Sequence, residues 1–252
     1  MDPRQAPRGF VEWQDRVSIF CGVHASIVSP EISTMDDSEA SVALKRCSDE
    51  MFDTIIEHSL QKTVEAAVCE PGCHRCCSIN LEASWYEAWA IAIHVDAEMP
   101  EPERSEALER IEHYGEELMT MTSEDRLRRS TMCPFIRESD GMCSIYQLRP
   151  LLCRAHYVAE GGECGTGVPV NMLLAPKVAA SIVDRSVSEI RRPPDGVDPF
   201  TEFITGVIFH LDRMHGVTEP RMPKPPLGHE IDDKIGPQRV IFDPDAGDVR
   251  HG

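Results

Sequence analysis

Residues 69–77 read CEPGCHRCC and place four of the chain's ten cysteines within nine positions. Cys73 and Cys76 form a C-x-x-C, the spacing at which one turn of backbone offers two sulfurs to a tetrahedral ion at about 2.3 Å. Pro71 and Gly72 break a helix there, so the run lies between elements, with Cys69 at the end of one and Cys73 after the turn. Disulfides, catalytic thiols and a metal or iron-sulfur site could each use such a run. A redox C-x-x-C belongs at a helix start after a strand, whereas this one follows a helix and a Pro-Gly break.

Working outward, four more thiols follow at Cys133, Cys143, Cys153 and Cys164, while Cys21 and Cys47 stand apart. The last two are expected to be buried small hydrophobes, the common fate of a free cysteine. Cys76 and Cys77 are adjacent and are expected to point to different sides. The eight clustered thiols are enough for two four-sulfur zinc sites, an iron-sulfur cluster with spare thiols, or a cluster plus one zinc. Cys133 is followed by Pro134, a pair that also closes bacterial ferredoxin motifs, although the preceding spacing differs.

The chain has 252 residues, 41% of them hydrophobic, enough to bury a core without disulfides. Its start lacks an apolar leader and no window approaches the roughly 18 apolar residues of a membrane span. A cytoplasmic protein is expected, where clustered cysteines stay reduced unless a metal holds them. Lys and Arg number 25 against 43 Asp and Glu, a net charge of −18. That surface repels phosphate backbones and anionic lipid, so neither nucleic acid nor membrane is expected as a partner. Aromatics are 6% and not interleaved with basic residues, a pattern that gives no support to a stacking platform for bases.

Pro3, Pro7 and Pro30 and short apolar runs mark residues 1–34 as an N-terminal arm. A helical domain is expected over 35–215 and an irregular tail over 216–252. From Asp36 to Val68 apolar residues at 42, 51, 52, 55, 56, 60, 64 and 68 follow the helical repeat. Ser84 and Glu87 stand at capping-box spacing before Trp85, Trp89 and Ile93 on one helix face. Another helix carries Leu108, Ile111 and Leu118. CPFIRESDGMCSIY, residues 133–146, reads as a small hairpin turning at Asp140-Gly141. Pro150 opens a helix that puts Cys153 near its positive end, where a thiolate is stabilised. Helices are expected near 172–191 and 199–212, the second capped by Asp198. The fold class is mainly α: a helical domain with a cysteine-rich metal-binding module and one small β-hairpin.

The order C-x3-C-x2-C-C, then Cys133-Pro134-Phe135, then GMCSIYQLRPLLCR over 141–154 resembles the YkgJ-type cysteine-cluster family, described as zinc- or iron-chelating. The positions that carry it are Cys69, Cys73, Cys76, Cys77, Cys133, Pro134, Gly141, Cys143, Ile145, Tyr146, Arg149, Pro150, Cys153 and Arg154. Cys164 fills a last, more loosely placed cysteine position, and the motif core of 69–164 is under half the chain. The resemblance implies cysteine-ligated metal, zinc or an iron-sulfur cluster, without a named reaction. One related branch carries flagellin lysine N-methylase activity and looks like an iron-sulfur protein, which makes a protein side chain a conceivable substrate. GGECGTG at 161–167 is no nucleotide loop, since Val170 takes the place of the third glycine.

Arg149 and Arg154 flank Cys153, where they could donate hydrogen bonds to cluster sulfurs or pair with surface acids. Tyr146 reads as packing. His74 and His156 are neighbours of the cysteines and alternative ligands. Three functions share these residues: a metal or iron-sulfur protein with redox or catalytic use, a purely structural zinc module, and an enzyme modifying a protein side chain.

Overall fold

The computed structural model describes residues 9–69, 72–128, 131–163, 170–194 and 197–225. Residues 10–32, expected to be an arm, form helix α1 (Phe10–Ile32). Phe10, Trp13, Val17, Cys21, Ala25 and Ile32 recur at helical spacing and are buried. The prolines that suggested an arm do not interrupt it: Pro3 and Pro7 precede the helix and Pro30 falls in its last turn. Arg191 closes the C-terminal end, donating to the Ile32 and Met35 carbonyls at 3.3 and 2.6 Å and to Asp37 at 2.6 Å.

Helix α2 (Asp37–Ile55) starts at a capping box in which Asp36 and Glu39 satisfy each other's backbone N–H. A π-helical turn (Ile56–Leu60) and α3 (Gln61–Glu65) carry the chain to the cysteine run. Val42 and Val68, assigned to the apolar face, are instead exposed. Strand β1 (Glu82–Ser84) leads into α4 (Trp85–Ile93), followed by a π turn (His94–Glu98). Then come α5 (Glu103–Thr120), α6 (Ser123–Arg128), α7 (Leu151–Arg154), strands β2 (Val158–Glu163) and β3 (Val170–Met172), and α8 (Leu174–Ser188). Strand β4 (Phe200–Glu202) and α9 (Phe203–Met214) complete the described elements.

The fold is mainly helical with small antiparallel β pairs, in a different place from the one expected. β2 pairs with β3, and β1 pairs with β4 in the register Glu82–Glu202, Ala83–Thr201, Ser84–Phe200. The 133–146 segment closes through one bridge, Ile136–Cys143, rather than two strands. The last helix begins at Phe203, not at 199, because residues 200–202 are drawn into the β1 pairing. Its cap is Glu202, whose carboxylate accepts the Thr205 N–H at 2.8 Å, and not Asp198.

Helix α4 sits between two apolar clusters. Trp85, Tyr86 and Trp89 belong to the cluster shared with α1, α2 and α8, while Ala88, Ile91 and Ala92 belong to the one shared with α5 and α9. Cys133 and Cys143 pack against the second cluster, which is how the cysteine module is attached to the core. Cys21 and Cys47 are buried as expected, and burial pushes their thiols up to about 12 and about 11.

His210 on α9 stacks on Trp89 at 4.8 Å, and its Nδ1 has no hydrogen-bond partner among the described residues. Burial, with help from Arg213, lowers its pKa to about 3, against 6.5 for a free histidine. The folded state therefore binds no proton there at a pH where the unfolded chain does, and stability falls as pH drops from 6.5 towards 3. We expect this single group to remove about 2 kcal/mol between pH 7 and pH 5. In urea unfolding, His210→Leu should lose correspondingly less over that interval than the parent. Equal losses in both would show that His210 does not remain neutral in the fold.

Candidate metal centre

Three separated segments build the site. The first, Gly72 to Ser78, turns at Gly72 with φ 84° and winds into a 3-10 turn over Arg75–Ser78. A side chain at Gly72 would be strained and would meet the Met142 sulfur at 3.3 Å, so glycine lets this loop lie against the next one. The second runs from Cys133 to Ile145. Its Cys133 N–H donates to the Cys77 carbonyl at 2.7 Å, and Ser144 N–H to the Phe135 carbonyl at 2.8 Å. Arg137, paired with Asp140 and Glu103, pins its far end. The third is α7, whose first N–H, that of Leu151, donates to Glu87 Oε1 at 2.8 Å.

These segments surround one cavity lined by Cys73, Cys77, Cys133, Cys143 and Cys153, with His74 and Arg149 beside them. Behind the thiols the wall is apolar, made by Leu81, Phe135, Ile145 and Phe203, with the buried Glu202 among them. The space open to water centres is about 50 Å3, several times the roughly 10–15 Å3 one water needs.

Not all eight predicted ligands reach it. Cys69 is exposed and is not on the cavity wall; its sulfur accepts the Val158 N–H at 3.4 Å. Cys76 is not on the cavity wall, yet its sulfur is hydrogen-bonded to that of Cys77, so the adjacent pair does not diverge as expected. That bond from the Cys77 thiol brings Cys76 down to about 7, and Cys77 correspondingly rises. Cys164 lies outside the described residues.

The helix at Pro150 is four residues long, too short to stabilise a thiolate by its dipole. Burial instead raises Cys153 to about 12 and also raises Cys133 and Cys143. Backbone N–H groups oppose this: those of Phe135 and Ile145 donate to the sulfurs of Cys133 and Cys143. Donors aimed at sulfur favour the thiolate form that a metal ligand needs.

Arg149 faces the cavity and lowers Cys76, Cys143 and Cys153 by its charge. It is held by its Nε bond to the Tyr146 carbonyl at 3.0 Å and by the Tyr146 ring, 3.8 Å from the guanidinium carbon. Arg154 turns the other way, onto Asp49 at 2.6 Å and Asp53, and so serves as an ion-pair partner of α2 rather than of the sulfurs. His74 lines the cavity. His156 does not; burial lowers it to about 4, and its Nε2 has no partner among the described residues.

The donor chemistry fits zinc or iron: soft thiols, N–H groups on the sulfurs and a balancing cation. Among the described residues, no three His, Cys, Asp or Glu side chains already converge tightly enough to hold an ion. An ion held there would require the thiols to swing inward from the cavity wall.

Sequence reasoning found Glu87 only as the capping-box partner of Ser84. Its second role, receiving Leu151 from 64 residues away, and the place of Glu202 in the cavity had no local signal.

Residues 68–167 match the CxxCxxCC family, described as "Putative zinc- or iron-chelating domain". This is the cysteine-cluster family that the thiol spacing resembles, over the segment that supplies the cavity's cysteines. No curated protein and no solved structure matches the chain. Among the described residues no helix is long and apolar enough to cross a membrane.

Proposed function

We propose that this protein binds zinc or iron through Cys73, Cys77, Cys133, Cys143 and Cys153, with Cys69, Cys76 and Cys164 as accessory thiols. The convergence of thiols from three distant segments on one cavity carries the proposal. Arg149 offsets the thiolate charge, and the N–H groups of Phe135 and Ile145 orient two of the sulfurs. The bound metal would supply either electron transfer through an iron-sulfur cluster or Lewis acidity through zinc.

Cys73 is exposed and Tyr146 is 39% exposed, so the cavity opens to solvent at one side. That opening favours a centre that exchanges electrons or meets a substrate over a zinc staple sealed on all sides. A protein side chain, as in the lysine N-methylase branch, is one substrate an open centre would admit.

Metal and acid-labile sulfide analysis of protein purified without oxygen tests the proposal. Iron with sulfide and absorbance at about 400 nm is expected for a cluster, and zinc without sulfide for a single-ion site. Protein that holds neither metal, even after anaerobic reconstitution, would refute it.

A further inference from the structure

Two described thiols of the cysteine module, Cys69 and Cys76, stay off the cavity wall, and each neighbours a thiol that lines it. Cys76 is hydrogen-bonded through sulfur to Cys77. Burial raises Cys69, and the neighbouring charges that add to this are those of Cys76 and Cys73. Cys69, Cys73 and Cys76 are therefore near enough to act on one another. Cys69 and Cys73 are exposed, whereas Cys76, Cys77, Cys133, Cys143 and Cys153 are half-buried. Thiols thus run from solvent, through Cys69 and Cys76, to the cavity wall at Cys73 and Cys77. We propose that Cys69 and Cys76 form an exchange site at which the metal of the cavity passes to and from a thiol-bearing carrier. The inference rests on the metal-binding reading above and gives these accessory thiols a function: transfer of the ion rather than its retention.

Three observations favour transfer. Five thiols already line the cavity, one more than a tetrahedral ion or a four-cysteine cluster takes, so retention does not call on Cys69 or Cys76. The Cys69 sulfur is oriented although exposed: it accepts the Val158 N–H at 3.4 Å, and a donor aimed at sulfur favours the thiolate that attacks a metal. The overall charge points to the kind of partner. A chain of net charge −18 attracts hydrated cations without help, whereas an ion already held by thiolates is handed on most readily to another thiolate. The exchange is redox-neutral. Cys69 gives up its thiol proton and forms a metal–sulfur bond, one metal–sulfur bond to the carrier breaks, and the carrier's sulfur leaves as the thiol. The same step between Cys76 and Cys77 brings the ion to the cavity wall, and its reversal unloads the protein.

Transfer of metal from the full chain, as purified with its metal, to the dithiol 2,3-dimercaptopropanesulfonate tests the proposal, with circular dichroism as the check on the fold. The parent's rate of metal loss is expected to rise in proportion to the dithiol concentration. Cys69→Ser combined with Cys76→Ser should slow that loss by an order of magnitude or more at equal starting metal content. Serine keeps a hydroxyl for the Cys77 sulfur and the Val158 N–H, so the local hydrogen bonds persist. EDTA, which has no thiol, should strip parent and variant at the same rate, which separates slower exchange from a weakened site. Equal rates of transfer to the dithiol in parent and variant would overturn the proposal and leave the metal reading intact. A fall in the variant's metal content to that of Cys153→Ser would also overturn it, by making the pair resting ligands. A parent chain that holds no metal refutes the metal reading and this inference together.

Discussion

Glu87→Ala is expected to destabilise the protein by about 3–5 kcal/mol, more than any substitution of an exposed acid. Glu87 is fully buried in α4. One carboxylate oxygen accepts the Ser84 N–H at 3.1 Å and the other accepts the Leu151 N–H at 2.8 Å, so a single side chain caps two helices. Burial raises its pKa, and the buried Lys45 is the main group opposing this. Removing the carboxylate leaves two buried N–H donors without acceptors, a cavity, and Lys45 without that charge. Glu87→Gln keeps the volume and one acceptor and should cost less. Because Leu151 opens the helix that carries Cys153, metal retention should fall with stability in Glu87→Ala. Urea unfolding and metal analysis on the same samples check this, and a loss below about 1 kcal/mol would show that water replaces the carboxylate at both helix ends.

Cys77→Ser and Cys153→Ser should each lower metal affinity by more than about 100-fold, since even groups that only orient metal ligands are worth 10–100-fold. Both cysteines line the cavity, and they come from different segments of the chain. Loss of metal should therefore also lower the thermal midpoint, and a chelator should do the same to the parent protein. Cys21→Ser provides the contrast: Cys21 is buried between α1 and the core, so it should lose stability while keeping its metal. Full metal content in both Cys77→Ser and Cys153→Ser would remove these two from the ligand set.

Much of this architecture is written in local spacing. The Ser84-x-x-Glu87 box predicts the start of α4, and the structure places it there. The apolar repeat after Asp36 predicts α2, but the helical run ends at Glu65, short of the Pro71-Gly72 break and of Cys69, where Ala67 pairs with Ala159 and the Val68 N–H donates to the Val158 carbonyl. Local signals failed where a partner far along the chain decided the outcome. The start of α9 moved from 199 to 203 because Phe200–Glu202 pairs with Glu82–Ser84, a strand too short to announce itself. Pro3, Pro7 and Pro30 suggested an arm, but a helix whose inner face buries Phe10, Trp13 and Val17 tolerates proline before its start and in its final turn. Arg154 looked like a neighbour of Cys153. One helical turn is enough to aim it at Asp49 and Asp53 instead.

A C-x3-C-x2-C-C run followed by four more cysteines is legible in the chain alone, and its soft donors at that spacing suit zinc or iron, because spacing and thiol chemistry are local properties. Which of them share a space follows from packing between distant segments. Cys73, Cys77, Cys133, Cys143 and Cys153 line one cavity, while Cys69 accepts the Val158 N–H instead and Cys76 is linked to the wall through Cys77. The direction in which each sulfur points depends on the burial of α4, on Glu87 reaching Leu151 and on a glycine turn packed against Met142, and these are contacts between residues that sequence spacing does not connect.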